Sequence, residues 1–134
     1  WASRGFWWQP TDAIPLSNGR ILVFDSNGHA ADGLPSRLLE FSPQDGAVTW
    51  SYSGTTEKPF WSIQGGAVQP LPNKNLLITS PLMGRIREIT SGGKAVWEYR
   101  NPAAGEGERR GKIAAVWSAR RVDPSALQFL EGSR

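Results

Sequence analysis

Few residues in this chain could carry out covalent chemistry. His29, in FDSNGHAADG, is the only histidine, and there is no cysteine. That removes thiolate nucleophiles, disulfides and Cys-metal sites. A neutral imidazole nitrogen is a good nucleophile near pH 7, but on a Gly-rich surface loop a histidine also serves simply as a solvated side chain. Arg37 and Arg85 could meet the oxygens of an anion. They occupy equivalent places in an internal repeat, however, which argues for an ion pair or a snorkelled stem in both. Trp7, Trp8 and Trp61 cluster just ahead of two apolar strands and offer ring faces for stacking; packing of neighbouring elements explains them equally well. The basic run ERRGK, residues 108–112, reads as a solvated loop. No phosphate-binding Gly-rich loop, GxSxG elbow, HExxH or His-carboxylate pair at metal spacing is present, so no metal site is expected.

The elements that would position these residues follow from a repeat. LSNGRILVFDS…SRLLEFSPQDGAVTWSY, from residue 16, is matched by LPNKNLLITSPLMGRIREITSGGKAVWEY, from residue 71. Leu16 falls on Leu71, Asn18 on Asn73, and Ile21-Leu22-Val23 on Leu76-Leu77-Ile78. Further on, Arg37 falls on Arg85, Glu40 on Glu88, Phe41 on Ile89, Trp50 on Trp97 and Tyr52 on Tyr99. The copies lie 55 residues apart at the front and 47 at the back, because the first carries the insertion NGHAADGLPS and one more residue in its SPQDG turn.

Each copy reads as β-structure. Ile21–Phe24 and Leu76–Thr79 are apolar runs opened by Asn-Gly or Asn-Lys turns. Arg37–Phe41, Arg85–Ile89, Val48–Tyr52 and Ala95–Tyr99 alternate in the manner of half-buried strands. SPQDG and TSGG are glycine turns. With strands at Asp12–Leu16 and Ala67–Leu71, each copy makes four antiparallel strands, the size of a propeller blade. Trp50 and Trp97 are expected in equivalent, largely buried positions, Trp97 the more sheltered, and Glu40 and Glu88 as solvated partners of the arginines. The fold class is therefore all-β: two to two-and-a-half four-stranded antiparallel blades of a β-propeller. Blade A spans about residues 6–52, blade B about 60–100, and a closing segment about 112–124, in which AAVWSARRV (114–122) is one further strand. Two unrelated hairpins in a small sandwich are the plainer alternative. Since repeat folds generally need three or more units, the chain reads as the C-terminal part of a larger propeller, opening on Trp1 as a processed product or piece.

At 134 residues with 39% hydrophobic and 20% charged content, the composition is that of a folded domain. A net charge of +3 gives little support to nucleic-acid binding, and no apolar run is long enough for a membrane span.

DAIPLSNGRILVFDSNG, SRLLEFSPQDGAVTWSY, GGAVQPLPNKNLLIT, GRIREIT and AVWEYRNP together resemble the closing blades of the arylsulfotransferase family, and VWSARRVDPSAL is similar to its arginine-rich closing segment. The resemblance covers roughly residues 8–127. It implies a six-bladed propeller, periplasmic or extracellular, that passes a sulfuryl group from an aryl sulfate to a phenolic acceptor through a transient histidine adduct, with no phosphoadenosine cofactor. By the same resemblance Thr11-Asp12, in QPTDAIPL, stands where the family has His-Asp. Thr11 lacks a nitrogen nucleophile, so catalysis would fall to His29, Asp12 and Thr11, with Arg37, Arg85, Trp8 and Trp61 around the substrate. Two other readings remain: a non-catalytic propeller acting as a scaffold or ligand-binding module, and a quinoprotein-like fragment, since DGxVxW also occurs there.

Overall fold

An asparagine bends the chain in the same way at the start of both repeats. Asn18 Oδ1 accepts from the Arg20 N–H at 3.0 Å, and Asn73 Oδ1 accepts from the Asn75 N–H at 3.1 Å. The residue between is left-handed in each, Gly19 at φ 79° and Lys74 at φ 67°. Glycine adopts this conformation freely, whereas Lys74 does so against a Cβ penalty, held by the side-chain turn bond. The computed structural model describes residues 7–27, 33–103 and 111–127.

These turns lead into eight strands: β1 Pro10–Pro15, β2 Ile21–Asp25, β3 Arg37–Phe41, β4 Val48–Tyr52, β5 Ala67–Pro70, β6 Leu76–Ser80, β7 Arg85–Ile89 and β8 Ala95–Arg100. They form two four-stranded antiparallel sheets, ordered β1-β2-β3-β4 and β5-β6-β7-β8. The registers correspond pair by pair. Leu22 lies opposite Glu40 and Glu40 opposite Trp50; in the second sheet Leu77 lies opposite Glu88 and Glu88 opposite Trp97. Each sheet has an irregularity at the same step, between Glu40 and Phe41 and between Glu88 and Ile89, and the first has another at Pro10 to Asp12. Helical structure among the described residues is confined to 3-10 turns at Pro81–Met83 and Pro124–Ala126.

The sheets pack through one apolar core. Leu22, Phe24, Leu38 and Tyr52 from the first meet Val68, Ile78 and Ile89 from the second, with Phe60 from the connection between them. Burying side chains of this size contributes about 1.5–3 kcal/mol each. Phe60 meets Phe24 edge-on at 5.5 Å and Tyr52 at 5.8 Å. Gly66 lets β5 close on the Phe24 ring, since a Cβ there would fall 2.2 Å from Phe24 Cζ. The other face of the first sheet buries Val23, Leu39 and Phe41, with Trp7 4.8 Å from the Phe41 ring.

Three expectations need correction. The two tryptophans are equivalent in register but not in environment. Trp50 is partly buried and its Nε1–H donates to Ser91 O at 2.8 Å, because it faces the second sheet. Trp97 faces away from the first sheet and is 46% exposed, so the expected order is reversed. Glu88 is not solvated but buried, bonded to Asn73, Asn75 and Arg121. Residues 114–122 do not form a strand. They cross the outer face of the second sheet as an extended segment held by single bonds, many of them to side chains, which make no ladder: Val116 N–H to Pro81 O at 3.1 Å, Ala119 N–H to Thr79 Oγ1 at 3.1 Å, and Arg121 N–H to Gln69 Oε1 at 2.8 Å.

Candidate functional site

Thr11 and Asp12 stand on β1, an outer strand of the first sheet that lies beside β5 of the second. Asp12 lies opposite Phe24 and so shares the face that meets the second sheet. Its Oδ2 accepts from the Val68 N–H at 3.0 Å, and the Thr11 hydroxyl donates to Gly66 O at 3.3 Å. Asp12 therefore binds the backbone of β5, and Thr11 the residue just before it. His29 lies outside the described residues.

Arg37 pairs with a buried carboxylate while staying partly exposed itself. Its Nε and Nη2 lie 3.1 and 2.9 Å from Asp25 Oδ2, and Asp25 is wholly inaccessible. Asp25 Oδ1 also accepts from the backbone N–H groups of Trp8 and Gln9, at 3.2 and 2.9 Å. A carboxylate so deeply buried needs this many donors, so the guanidinium is part of the fold's own charge balance. Arg85, its counterpart in the repeat, pairs instead with Glu98 at 3.7 Å, and Glu98 is shared with Arg100 at 2.6 Å. Both arginines are ion-paired, but not with Glu40 and Glu88 as expected: those carboxylates pair with Arg20 and Arg121, and the arginines' own partners differ because Asp25 becomes Ser80 in the second copy.

The glutamates have a repeated role that the sequence reading did not assign. Asn18 Nδ2 donates to Glu40 Oε1 at 3.3 Å, and Asn73 Nδ2 donates to Glu88 Oε1 at 2.9 Å, so each tethers a turn to the third strand of its sheet. Hydrogen bonds from Asn75, Asn73 and Arg121 hold the Glu88 carboxyl well below its ordinary range, at about 2. The signal was available, since Asn and Glu recur together in both copies.

Two of the concave regions among the described residues bear on these side chains. One, about 270 Å³, is lined by Trp61, Ile63, Gly65, Leu82 and Met83. Its rim is held by bonds from the Ser62 N–H to Ser36 Oγ at 2.8 Å and from Ser36 Oγ to Ser26 O at 2.7 Å. Thr11 lies beside this cleft, its methyl next to Gly65, so Trp61 and Thr11 come into one neighbourhood. Trp8 is exposed and does not line it. The other region, about 480 Å³, is a groove between the sheets at the turns, over Leu16, Leu71, Leu76 and Trp50. Some of its polar groups pair with one another: Arg20 with Glu40 at 3.0 Å, and Trp50 with Ser91. Among the described residues no group of three His, Cys, Asp or Glu could hold a metal ion, and no helix is long and apolar enough to cross a membrane.

No family model matches the chain, and no curated protein matches it. Among solved structures it is similar to the crystal structure of a protein of unknown function from Bacteroides caccae, with 19% sequence identity and a TM-score of 0.51. The likeness covers 68% of this chain and 31% of that one, so the chain spans about a third of that protein's length. It bears on the fold alone.

Proposed function

We propose that the chain forms two successive blades of a larger β-propeller of the arylsulfotransferase type. Its part there is to wall the axial channel in which a sulfuryl group passes from an aryl sulfate to a phenol, while another blade supplies the nucleophile. One observation carries this division of labour: Thr11 and Asp12, at the place of the family's His-Asp, are both bonded to backbone at or just before β5. A threonine hydroxyl is a poor nucleophile without an adjacent base, and Asp12, the nearest candidate base, is bonded to Val68. In the proposed reaction an imidazole nitrogen bonds to sulfur as the bond to the first phenol oxygen breaks. The second phenol then takes the sulfuryl group, giving up its proton, and the imidazole is freed. The corresponding donors to the sulfuryl oxygens would come from several blades facing one channel.

The same observation favours a second reading, a propeller that binds without catalysis. Assays with a chromogenic aryl sulfate and a phenol acceptor separate them. This chain should show no turnover above background, with or without His29→Ala. Turnover that disappears in His29→Ala would place the nucleophile on this chain and overturn the proposal. Transfer by a longer protein containing these residues, unaffected by His29→Ala, supports it; binding of the aryl sulfate there without transfer favours the non-catalytic reading.

A further inference from the structure

The turns that open the two repeats correspond position by position, but one of them holds a lysine where the backbone favours glycine. Asn18, Gly19 and Arg20 fall on Asn73, Lys74 and Asn75, and both central residues have positive φ, 79° for Gly19 and 67° for Lys74. Strain of this kind is concentrated at ligand clamps and other working sites. The Lys74 side chain holds nothing in the turn itself. The turn closes through Lys74 N–H to Leu71 O at 2.9 Å, Leu71 N–H to Asn75 O at 2.9 Å and Asn75 N–H to Asn73 Oδ1 at 3.1 Å. Among the described residues no carboxylate pairs with the Lys74 ammonium. Glu88, bonded to Asn73 and Asn75 of the same turn, takes its cation from Arg121.

Lys74 instead lines the groove of about 480 Å³ between the two turns. That volume falls within the roughly 300–1,000 Å³ of small-ligand sites. The walls are apolar: Leu22 and Leu71 are buried, and Leu16, Leu76 and Trp50 are half-buried. The charged lining residues are Arg20, Glu40 and Lys74. The first two pair at 3.0 Å, which leaves one unbalanced positive charge beside apolar surface. Other donors in the lining are already engaged, Trp50 Nε1–H with Ser91 O and Asn75 Nδ2 with Glu88 Oε1. The groove lies at the turn end of β1, whereas Thr11 stands near the opposite end, and it shares no lining residue with the cleft beside Thr11.

We infer that the groove between the two turns binds a small amphipathic anion, its apolar body on Leu16, Leu71, Leu76 and Trp50 and its charged group on the Lys74 ammonium. Both halves of the ligand are required. An uncharged apolar molecule would cover the walls but take water from the ammonium without replacing it, whereas an inorganic anion would meet Lys74 and leave the walls wet. A ring or short chain carrying a carboxylate, sulfonate or phosphate satisfies both, and its body keeps water from the ion pair, which strengthens it. The inference stands on the groove and the lysine alone and does not rest on sulfuryl transfer.

The probes are anilinonaphthalenesulfonate and N-phenylnaphthylamine, which share a ring system and differ by the sulfonate. Titrated into the full chain, the sulfonate dye should shift the Trp50 indole N–H resonance and leave those of Trp61 and Trp97 in place. Lys74→Gly gives the second turn the residue of the first and relieves its strain, so it should melt at or above the parent temperature. The same variant should weaken the sulfonate dye by roughly threefold or more and leave the neutral dye unchanged, while Lys74→Arg keeps the affinity. Equal effects of Lys74→Gly on the two dyes overturn the inference, as does a shift at Trp61 or Trp97 without one at Trp50. A marked fall in the melting temperature of Lys74→Gly would assign the lysine to the fold and overturn it too. A Trp50 shift that grows with protein concentration in the absence of dye would give the groove to a second copy of the chain.

Discussion

The carboxylate of Asp12 accepts a hydrogen bond from the backbone N–H of Val68 at 3.0 Å, joining the first strands of the two sheets across 56 residues of chain. Removing the acceptor leaves a partly buried N–H without a partner, which costs about 1–3 kcal/mol. Asp12→Ala should lower unfolding stability by that amount in urea titrations, while Asp12→Asn, which keeps an oxygen in place, should cost less. Equal costs for the two would show that the bond does not hold the sheets together.

Gly66 packs directly against the ring of Phe24 in the first sheet. A Cβ at this position would lie 2.2 Å from Phe24 Cζ, and Phe24 is fully buried, so its ring has little room to move. Gly66→Ala should cost about 1–3 kcal/mol through overpacking. Gly92→Ala is the control: its nearest neighbour would be Thr90 Oγ1 at 3.8 Å, an ordinary contact, and the change should stay within about 0.5 kcal/mol. Thermal melts of both variants compare them directly.

Trp50 and Trp97 should respond differently to truncation. Trp50→Ala removes packing between the sheets and leaves Ser91 O without its donor, so a loss of about 2–4 kcal/mol is expected. Trp97→Ala removes an exposed ring whose contact is the Arg121 guanidinium at 5.8 Å from its centroid, and should cost less than about 1 kcal/mol. Equal losses in chemical denaturation would mean that something shields Trp97 in solution.

Glu88 links stability to acid. Its carboxyl is held at about 2 in the fold, below its ordinary 4.5, by Asn75, Asn73 and Arg121. Because the folded value is depressed, the stabilisation is fully present above the unfolded value. It is lost as pH falls from about 4.5 through about 2, where the folded group takes its proton. Glu88→Gln should therefore flatten the stability profile over that window and leave its shape near neutral pH unchanged. An equally steep acid limb in the variant would assign the loss to other carboxylates.

Seven of the eight strands have observed bounds within one residue of the sequence reading at both ends, β1 being the exception, because alternation, Asn turns and glycine turns act over a few residues and need no distant partner. The register of the repeat was equally legible, since Glu40 and Glu88, Trp50 and Trp97 keep their spacing from the turns. What lies opposite each face could not be read in this way. Trp50 and Trp97 have the same local sequence, yet one meets Ser91 and the other faces outward. Arg37 and Arg85 recur in the pattern, but their partners differ because Asp25 and Ser80 differ. The alternation of AAVWSARRV suits a strand, but in the structure this segment bonds largely to side chains of the second sheet, and no strand is paired with it among the described residues. The position of Thr11 and Asp12 at the front of the first sheet was legible too, while their engagement with Gly66 and Val68 was not. Hydrogen bonds of that kind form only when the chain has brought a second sheet alongside the first, and no local pattern of residues encodes the approach of a strand 55 positions away.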